Sequence, residues 1–292
     1  MIEYLLIITA TVLFSTQFLF TKKYQLKVGA DLSASFFHKM TSPILLILAL
    51  FIYNGFRFEF ASYSLILALL NGIIMVSISI FSIRALSKGS ISNYSLYLLS
   101  GGMVLPVIYG AFTGDSFGGF KITSILIILI GVFIKYEKKE KVNFSAYTCF
   151  FMLFILNGLV GIVSSLHQRN PFSFSTVSPI GFSMLSCSFA MVLGTTFFII
   201  YRTLSKSQKP PVINYIKASP YAIIDGLING IANLLLLIAL LKIEPSAQYP
   251  IVTGGCIFLS ALFSFIIYKE KPSKKEIISI TCAIIGSILI IF

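Results

Sequence analysis

The sequence predicts an all-α integral membrane protein of ten transmembrane helices, arranged as two inverted five-helix repeats. Three observations carry that prediction. First, 57% of the 292 residues are hydrophobic and 11% charged, against about 25% charged in an ordinary soluble domain, and the mean hydropathy is +0.95. A water-soluble chain of this length needs more polar surface than that composition supplies. Second, ten apolar segments follow one another with short polar breaks, most of them near the roughly 20 residues that cross hydrocarbon as a helix. Third, the second half echoes the first: Tyr94, Asp115 and Gly131 recur 155 positions later as Tyr249, Glu270 and Gly286, and Leu70–Gly72 recurs 158 positions later as Ile228–Gly230. A three-residue shortening near Lys88 in one copy and Glu244 in the other reconciles the offsets. Five spans per half is an odd number, so the halves enter the membrane from opposite sides, and a site is expected at their interface near the midplane.

The spans read, in order, 2–21, 33–53, 62–84, 90–113, 120–136, 145–167, 175–201, 216–241, 245–268 and 275–292. The first carries Glu3 and no Lys or Arg ahead of it, and no small-x-small site follows, so it reads as a membrane helix and not a cleaved leader. The second closes at Asn54-Gly55, the third at Ser87–Ser90, and the fourth in Gly114–Gly119. The fifth runs into the charged tract Lys135–Lys141, the candidate linker between repeat one, 1–138, and repeat two, 142–292. Asn170-Pro171, Pro210-Pro211, Glu244-Pro245 and Lys271-Pro272 divide the remaining spans. No soluble domain fits between them.

A net charge of +12 in a soluble chain suggests nucleic acid. Here the basic residues sit in short loops, where they act as topology signals, and no nucleic-acid partner is expected. Of the 22 Lys and Arg, Arg57, Lys121, Arg169 and Lys242 follow even-numbered spans and Lys39 is intramembrane; the other 17 follow odd-numbered spans. The positive-inside rule makes the 17-residue face cytoplasmic and places both termini outside. The expected location is the cytoplasmic membrane of a prokaryote, as a multi-pass monomer or homodimer in the lipid bilayer. Cys149, Cys187, Cys256 and Cys282 lie in apolar spans without C-x-x-C spacing and read as small apolar fillers. His38 and His167 have no ligand-like neighbour at helical spacing, so no metal and no cofactor is expected.

An ionised side chain at the bilayer centre costs about 2.5–3.5 kcal/mol on insertion scales and needs a partner or a purpose. Asp225 lies well inside span eight, followed at i+4 and i+8 by Asn229 and Asn233, a polar column on an apolar helix. It reads as a wall facing water or substrate, with inter-helical hydrogen bonding as the competing reading. Gly226 and Gly230, beside that column, read as a close-packing stripe. Asn71, with Met75, Ser79 and Ser82 on its face, is the repeat partner of Asn229. Lys39 reads either as snorkelling to the interface or as a substrate-facing or gating residue, and an ion pair with Asp225 is one possibility. Tyr94 and Tyr249 are repeat-equivalent, each a candidate for a cavity wall or for an interfacial belt, and Gln248 and Gln17 complete the candidate substrate-binding set.

Three passages resemble the drug/metabolite transporter superfamily, in its ten-helix EamA-like branch. Phe14-Ser15-Thr16-Gln17-Phe18 with Lys22 is similar to the family's Trp-Gly-Ser/Thr-x-Phe followed by Lys, with Phe14 for the Trp and Ser15 for the Gly. Ala85 and Leu86 running into Tyr94 and Pro106 are similar to its passage from helix three to helix four. Glu270-Lys271-Pro272, followed by Ile285-Gly286, is similar to the pattern before its terminal helix. The resemblance covers the whole chain through degenerate motifs. It implies two inverted five-helix halves that move small metabolites or drugs without ATP, and cytoplasmic termini, opposite to the charge count.

Catalytic motifs are missing: there is no G-x-S-x-G, H-E-x-x-H or G-x-x-x-x-G-K-[ST], so neither an enzyme nor a built-in ATP motor is expected. The expected function is secondary transport of a small polar or amphipathic metabolite such as an amino acid, by alternating access, with a coupling proton or counter-substrate. A lipid-linked sugar or lipid flippase or a multidrug exporter is the alternative within transport. A non-transporting membrane receptor or enzyme is the alternative outside it.

Overall fold

The computed structural model describes residues 2–114, 118–134, 144–205 and 210–289; the linker tract 135–141 and Asp115 lie outside them. Eleven α-helices and no strands occur among the described residues: α1 (Ile2–Val28), α2 (Leu32–Thr41), α3 (Ile44–Tyr53), α4 (Ser62–Lys88), α5 (Ile91–Phe112), α6 (Gly119–Ile134), α7 (Phe144–Arg169), α8 (Pro179–Leu204), α9 (Val212–Ala239), α10 (Pro245–Tyr268) and α11 (Lys274–Leu289). Among the described residues eight segments are long and apolar enough to cross a membrane, with α2 and α3 counted together as Leu32–Tyr53; Gly119–Val132 is a shorter apolar helix. The continuous second span expected at 33–53 is thus two helices. Pro43 has no N–H to offer the Lys39 carbonyl and stands between them.

The breaks follow the expected punctuation. Gly55 adopts φ +65° and Gly114 φ +100°, conformations that glycine enters without steric cost. Ser90 caps α5 by accepting the Asn93 N–H at 3.2 Å, and Ser178 caps α8 by accepting the Gly181 N–H at 3.1 Å. Outward faces carry large exposed apolar side chains, Ile2, Leu5 and Ile8 on α1 among them, as lipid contact requires.

Helix neighbours come from both halves. α1 packs on α9 and α10, α7 on α4 and α5, α4 on α8, α3 on α9, α5 on α10, and α6 on α11. Small residues set the tightest approaches: Gly72 lies against Phe189 and Ala190, Gly226 against the Ser42 backbone, and Gly230 against Leu46. The Gly226–Gly230 stripe therefore serves close packing. At one end of the bundle Lys22 Nζ donates to the carbonyls of Leu86 at 2.6 Å and Gly89 at 3.3 Å, with Glu270 Oε1 4.0 Å away. At the other, Ser64 Oγ meets His167 Nε2 at 2.9 Å and accepts the Val177 N–H at 3.0 Å. Between these ties the helices leave a central cavity.

Candidate functional site

The cavity has a volume of about 160 Å³ and is walled by α1, α2, α4, α5, α7, α8, α9 and α10. Its lining positions are spaced alike in the two halves. α1 contributes Phe14, Gln17, Phe18 and Thr21; α7 contributes Asn157, Val160, Gly161 and Ser164, each 143 positions later. α4 contributes Asn71, Met75, Ile78, Ser79 and Ser82; α9 contributes Asn229, Asn233, Leu236, Leu237 and Leu240, each 158 positions later. Tyr94 of α5 and Tyr249 of α10 complete the correspondence at 155.

Position is matched but chemistry is not. Lys39 and His38 of α2 line the cavity opposite Asp225, while α8 presents Phe182, which is 143 positions after Lys39. Ser79 and Ser82 answer to Leu237 and Leu240, and Gln17 to Val160. The charged residues His38, Lys39 and Asp225 gather at one pole of the cavity; Phe182, Leu237 and Leu240 are apolar counterparts of polar positions, in a lining that also holds Asn157, Ser164, Ser183 and Ser186.

The charged pole is built from four helices, α1, α2, α4 and α9. Helical periodicity puts Asp225, Asn229 and Asn233 in one column of α9, and all three line the cavity. Asp225 Oδ1 accepts a hydrogen bond from Thr21 Oγ1 at 2.6 Å, and Oδ2 lies 2.9 Å from His38 Nε2. The second contact is an ion pair by distance, bent away from an aligned hydrogen bond. His38 Nδ1 stands 3.3 Å from Ser79 Oγ, whose own proton is donated to the Ser35 carbonyl at 3.0 Å. The residue within ion-pair distance of Asp225 is therefore His38, while Lys39, the possible partner by sequence, interacts with that carboxylate from further away. Adjacent residues of a helix point about 100° apart, and α2 turns His38 toward α9. Among the described residues Lys39 has no carboxylate within 4.0 Å.

The other sequence candidates distribute as follows. Asn71, Gln17, Tyr94 and Tyr249 line the cavity. Tyr94 Oη and Ser82 Oγ are 3.0 Å apart, and Tyr249 Oη donates to the Gly161 carbonyl at 3.4 Å. Asn233 Nδ2 turns back to the carbonyl and Oδ1 of Asn229, at 2.9 and 3.0 Å. Gln17 Oε1 and Asn71 Oδ1 are buried with no hydrogen-bond partner among the described residues. Gln248 does not line the cavity: it is fully buried and donates Nε2 to the Leu236 carbonyl at 3.1 Å, tying α10 to α9. His38 and Thr21 were not in the substrate-binding set chosen from sequence, although His38 adjoins Lys39. Thr21 lies one turn beyond Gln17 on the same face, and that spacing is the signal that would have found it.

A family model described as the EamA-like transporter family matches residues 144–292. A solved crystal structure of a protein superposes with a TM-score of 0.61 at 14% identity, over 98% of this chain and 95% of its own, a likeness of fold alone. No curated protein matches the sequence. The family match takes in all of α7, α8, α9 and α10, which supply one of the two matched walls of the cavity together with Asp225. Extending over more than half of the 292 residues, it establishes that the chain belongs to the EamA-like transporter family, multi-pass membrane transporters of small molecules.

Proposed function

We propose that the protein is a secondary transporter that moves a small polar or amphipathic metabolite, such as an amino acid, by alternating access. On this reading it has ten spans in two inverted repeats, about 1–138 and 142–292, and α2 with α3 forms one span. The observation that carries the reading is the matched lining of the cavity, in which α1 and α7, and α4 and α9, contribute the same positions from the two halves. A site shared by inverted repeats opens to opposite sides when one half rocks against the other.

The crossing of α6 and α11 supports the same symmetry. A Cβ at Gly131 would lie 3.0 Å from the Ser279 carbonyl, and one at Gly286 would lie 3.0 Å from the Ser124 carbonyl. Gly131 and Gly286, like Ser124 and Ser279, are 155 positions apart, so the two contacts exchange under a two-fold operation. The ties at Lys22 and at His167 lie beyond opposite ends of the cavity and serve as its two gates. Gln17 Oε1 and Asn71 Oδ1 are acceptors held ready for substrate donors, since a buried acceptor left unpaired costs about 1–3 kcal/mol. Asp225, Asn229, Asn233, Tyr94, Tyr249 and Lys39 complete the substrate-facing set. A charged pole closed in by helices favours a metabolite carrier over a lipid flippase, which needs a lateral apolar opening.

The test is accessibility of single cysteines at Ser82 and at Leu240, in a variant lacking the four native cysteines, with impermeant maleimides applied from either side. Each position should react from its own side only, and cross-linking one end shut should leave the other reactive. Simultaneous labelling of both from one side would sink the alternating-access reading.

A further inference from the structure

The protons at the charged pole are fixed by hydrogen-bond logic. Ser79 gives its proton to the Ser35 carbonyl, so its oxygen faces His38 Nδ1 as an acceptor and Nδ1 carries a proton. On the other side of the ring, Nε2 stands 2.9 Å from Asp225 Oδ2. Two bare lone pairs repel at that distance, so one of the two groups holds a second proton, although the contact is not an aligned hydrogen bond. Wherever that proton resides, the His38–Asp225 pair as a unit carries no net charge.

The groups facing the pair from each neighbouring helix do not alter this balance. From α1, Tyr24 donates its hydroxyl to the Ala34 carbonyl at 2.7 Å, and Lys22 turns its ammonium away to Leu86 and Gly89. From α5, Tyr94 pairs with Ser82 of α4. From α8, the Cys187 thiol lies beside Lys39. Lys39 has no carboxylate within 4.0 Å among the described residues, and Asp225, the carboxylate that acts on it from further off, is already engaged by His38; with that pair neutral, the cavity carries a net single positive charge. An ammonium at membrane depth is costly, and a bound anion offsets that cost.

We propose that the cavity takes a carboxylate anion with an apolar body. Its carboxylate sits on Lys39 and its body lies against the apolar side chains of Phe182, Leu237 and Leu240. It is carried together with the proton held by the His38–Asp225 pair. This rests on the transporter reading above and narrows its substrate. The charges supply the coupling rule. With proton and carboxylate both bound, the site is neutral. With both released, Asp225 turns from neutral His38 to Lys39, and the site is neutral again. With only one bound, a net unit charge remains in the membrane and resists reorientation. The proton moves between bulk water and the His38–Asp225 pair, and no other bond is made or broken.

The experiment uses the full chain in liposomes with three solutes sharing one isobutyl group: 2-hydroxy-4-methylpentanoate (anion), leucine (zwitterion) and isoamylamine (cation). The anion should be taken up with lumenal acidification read by a trapped pH dye. Lys39→Gln should weaken its apparent affinity about tenfold or more, as expected for losing a charge-assisted hydrogen bond, and Lys39→Arg should retain most of it. His38→Gln should abolish the acidification. Preference for leucine or isoamylamine, anion uptake without proton movement, or an unchanged affinity in Lys39→Gln overturns the proposal. If Lys39→Gln does not fold, proton movement in the wild type decides alone. Uptake of none of the three, while Ser82 and Leu240 cysteines still alternate in accessibility, overturns the carboxylate assignment and leaves the transporter reading standing. Loss of that alternation overturns the transporter reading itself.

Discussion

Gly101 of α5 lies directly on the backbone of Phe154 in α7, so close that a Cβ at Gly101 would overlap the Phe154 carbonyl. The corresponding contact on the other side of the bundle is Cys256 of α10 against Thr11 of α1, where the thiol donates to the Thr11 carbonyl at 3.2 Å. One crossing admits no side chain and its counterpart admits a small one. Gly101→Ala should therefore destabilise the protein by about 1–3 kcal/mol, the range for overpacking a filled interior, and Cys256→Ala by about 1 kcal/mol or less. Thermal midpoints in one detergent would check the order, and equal midpoints for the two variants would contradict it.

Asp225→Asn should abolish or uncouple transport while leaving the folded protein in the membrane. The amide keeps the shape and the Thr21 contact but removes the charge that His38 faces at 2.9 Å. Uptake into liposomes at several external pH values is the measurement. Wild-type rates with unchanged pH dependence would remove Asp225 from any charge role.

The bundle and half of its site were legible in the sequence because both rest on local periodicity. The Asp225–Asn229–Asn233 column follows from 3.6 residues per turn, and Asn71 follows from its repeat partner Asn229. What periodicity could not reach is the partner of Asp225: His38 and Thr21 lie 187 and 204 positions away on other helices. Lys39 seemed the natural counter-ion by charge alone, and the one-residue rotation that favours His38 is set by tertiary packing. Gln248 misled for the same reason. A glutamine near a helix start reads as polar lining, yet here it satisfies the Leu236 carbonyl. The break in span two was written in Pro43, but a proline inside an apolar run is tolerated in membrane helices and does not by itself announce two helices.

Orientation is open to a direct measurement. The exposed Lys271 lies on the face that carries 17 positive residues, and the exposed Phe172 on the opposite one. In intact cells, a cysteine at Lys271 should resist impermeant thiol reagents and one at Phe172 should react, if positive residues stay inside. The reverse pattern would place the termini in the cytoplasm.

Glu59, in the turn between α3 and α4, predicts a pH dependence of stability. Burial alone would raise its carboxyl, but hydrogen bonds from the Ser178 N–H at 2.6 Å and hydroxyl at 2.7 Å, and from Asn54 at 3.3 Å, outweigh it and hold the group below its ordinary value of 4.5. A carboxyl depressed by folding stabilises above its unfolded value, and that contribution is lost as pH falls through the lower folded value. The wild type should therefore lose thermal stability relative to Glu59→Gln as pH falls below about 4.5. Parallel profiles for the two proteins would show that the carboxylate does not hold the start of α8.

The joint at Ser42-Pro43 makes α2 a lever arm. A ten-residue helix is about 15 Å long, so a swing of about 15° at the joint carries its far end by roughly 4 Å. That far end is Asp31, whose carboxylate accepts the Tyr215 hydroxyl at 3.1 Å, while the near end carries His38 and Lys39 one turn from the fulcrum. A small adjustment of the two residues at the charged pole is therefore magnified where α2 meets the start of α9. If the joint flexes when the cavity is loaded, the Asp31–Tyr215 contact at the end of the arm is where the movement would be read.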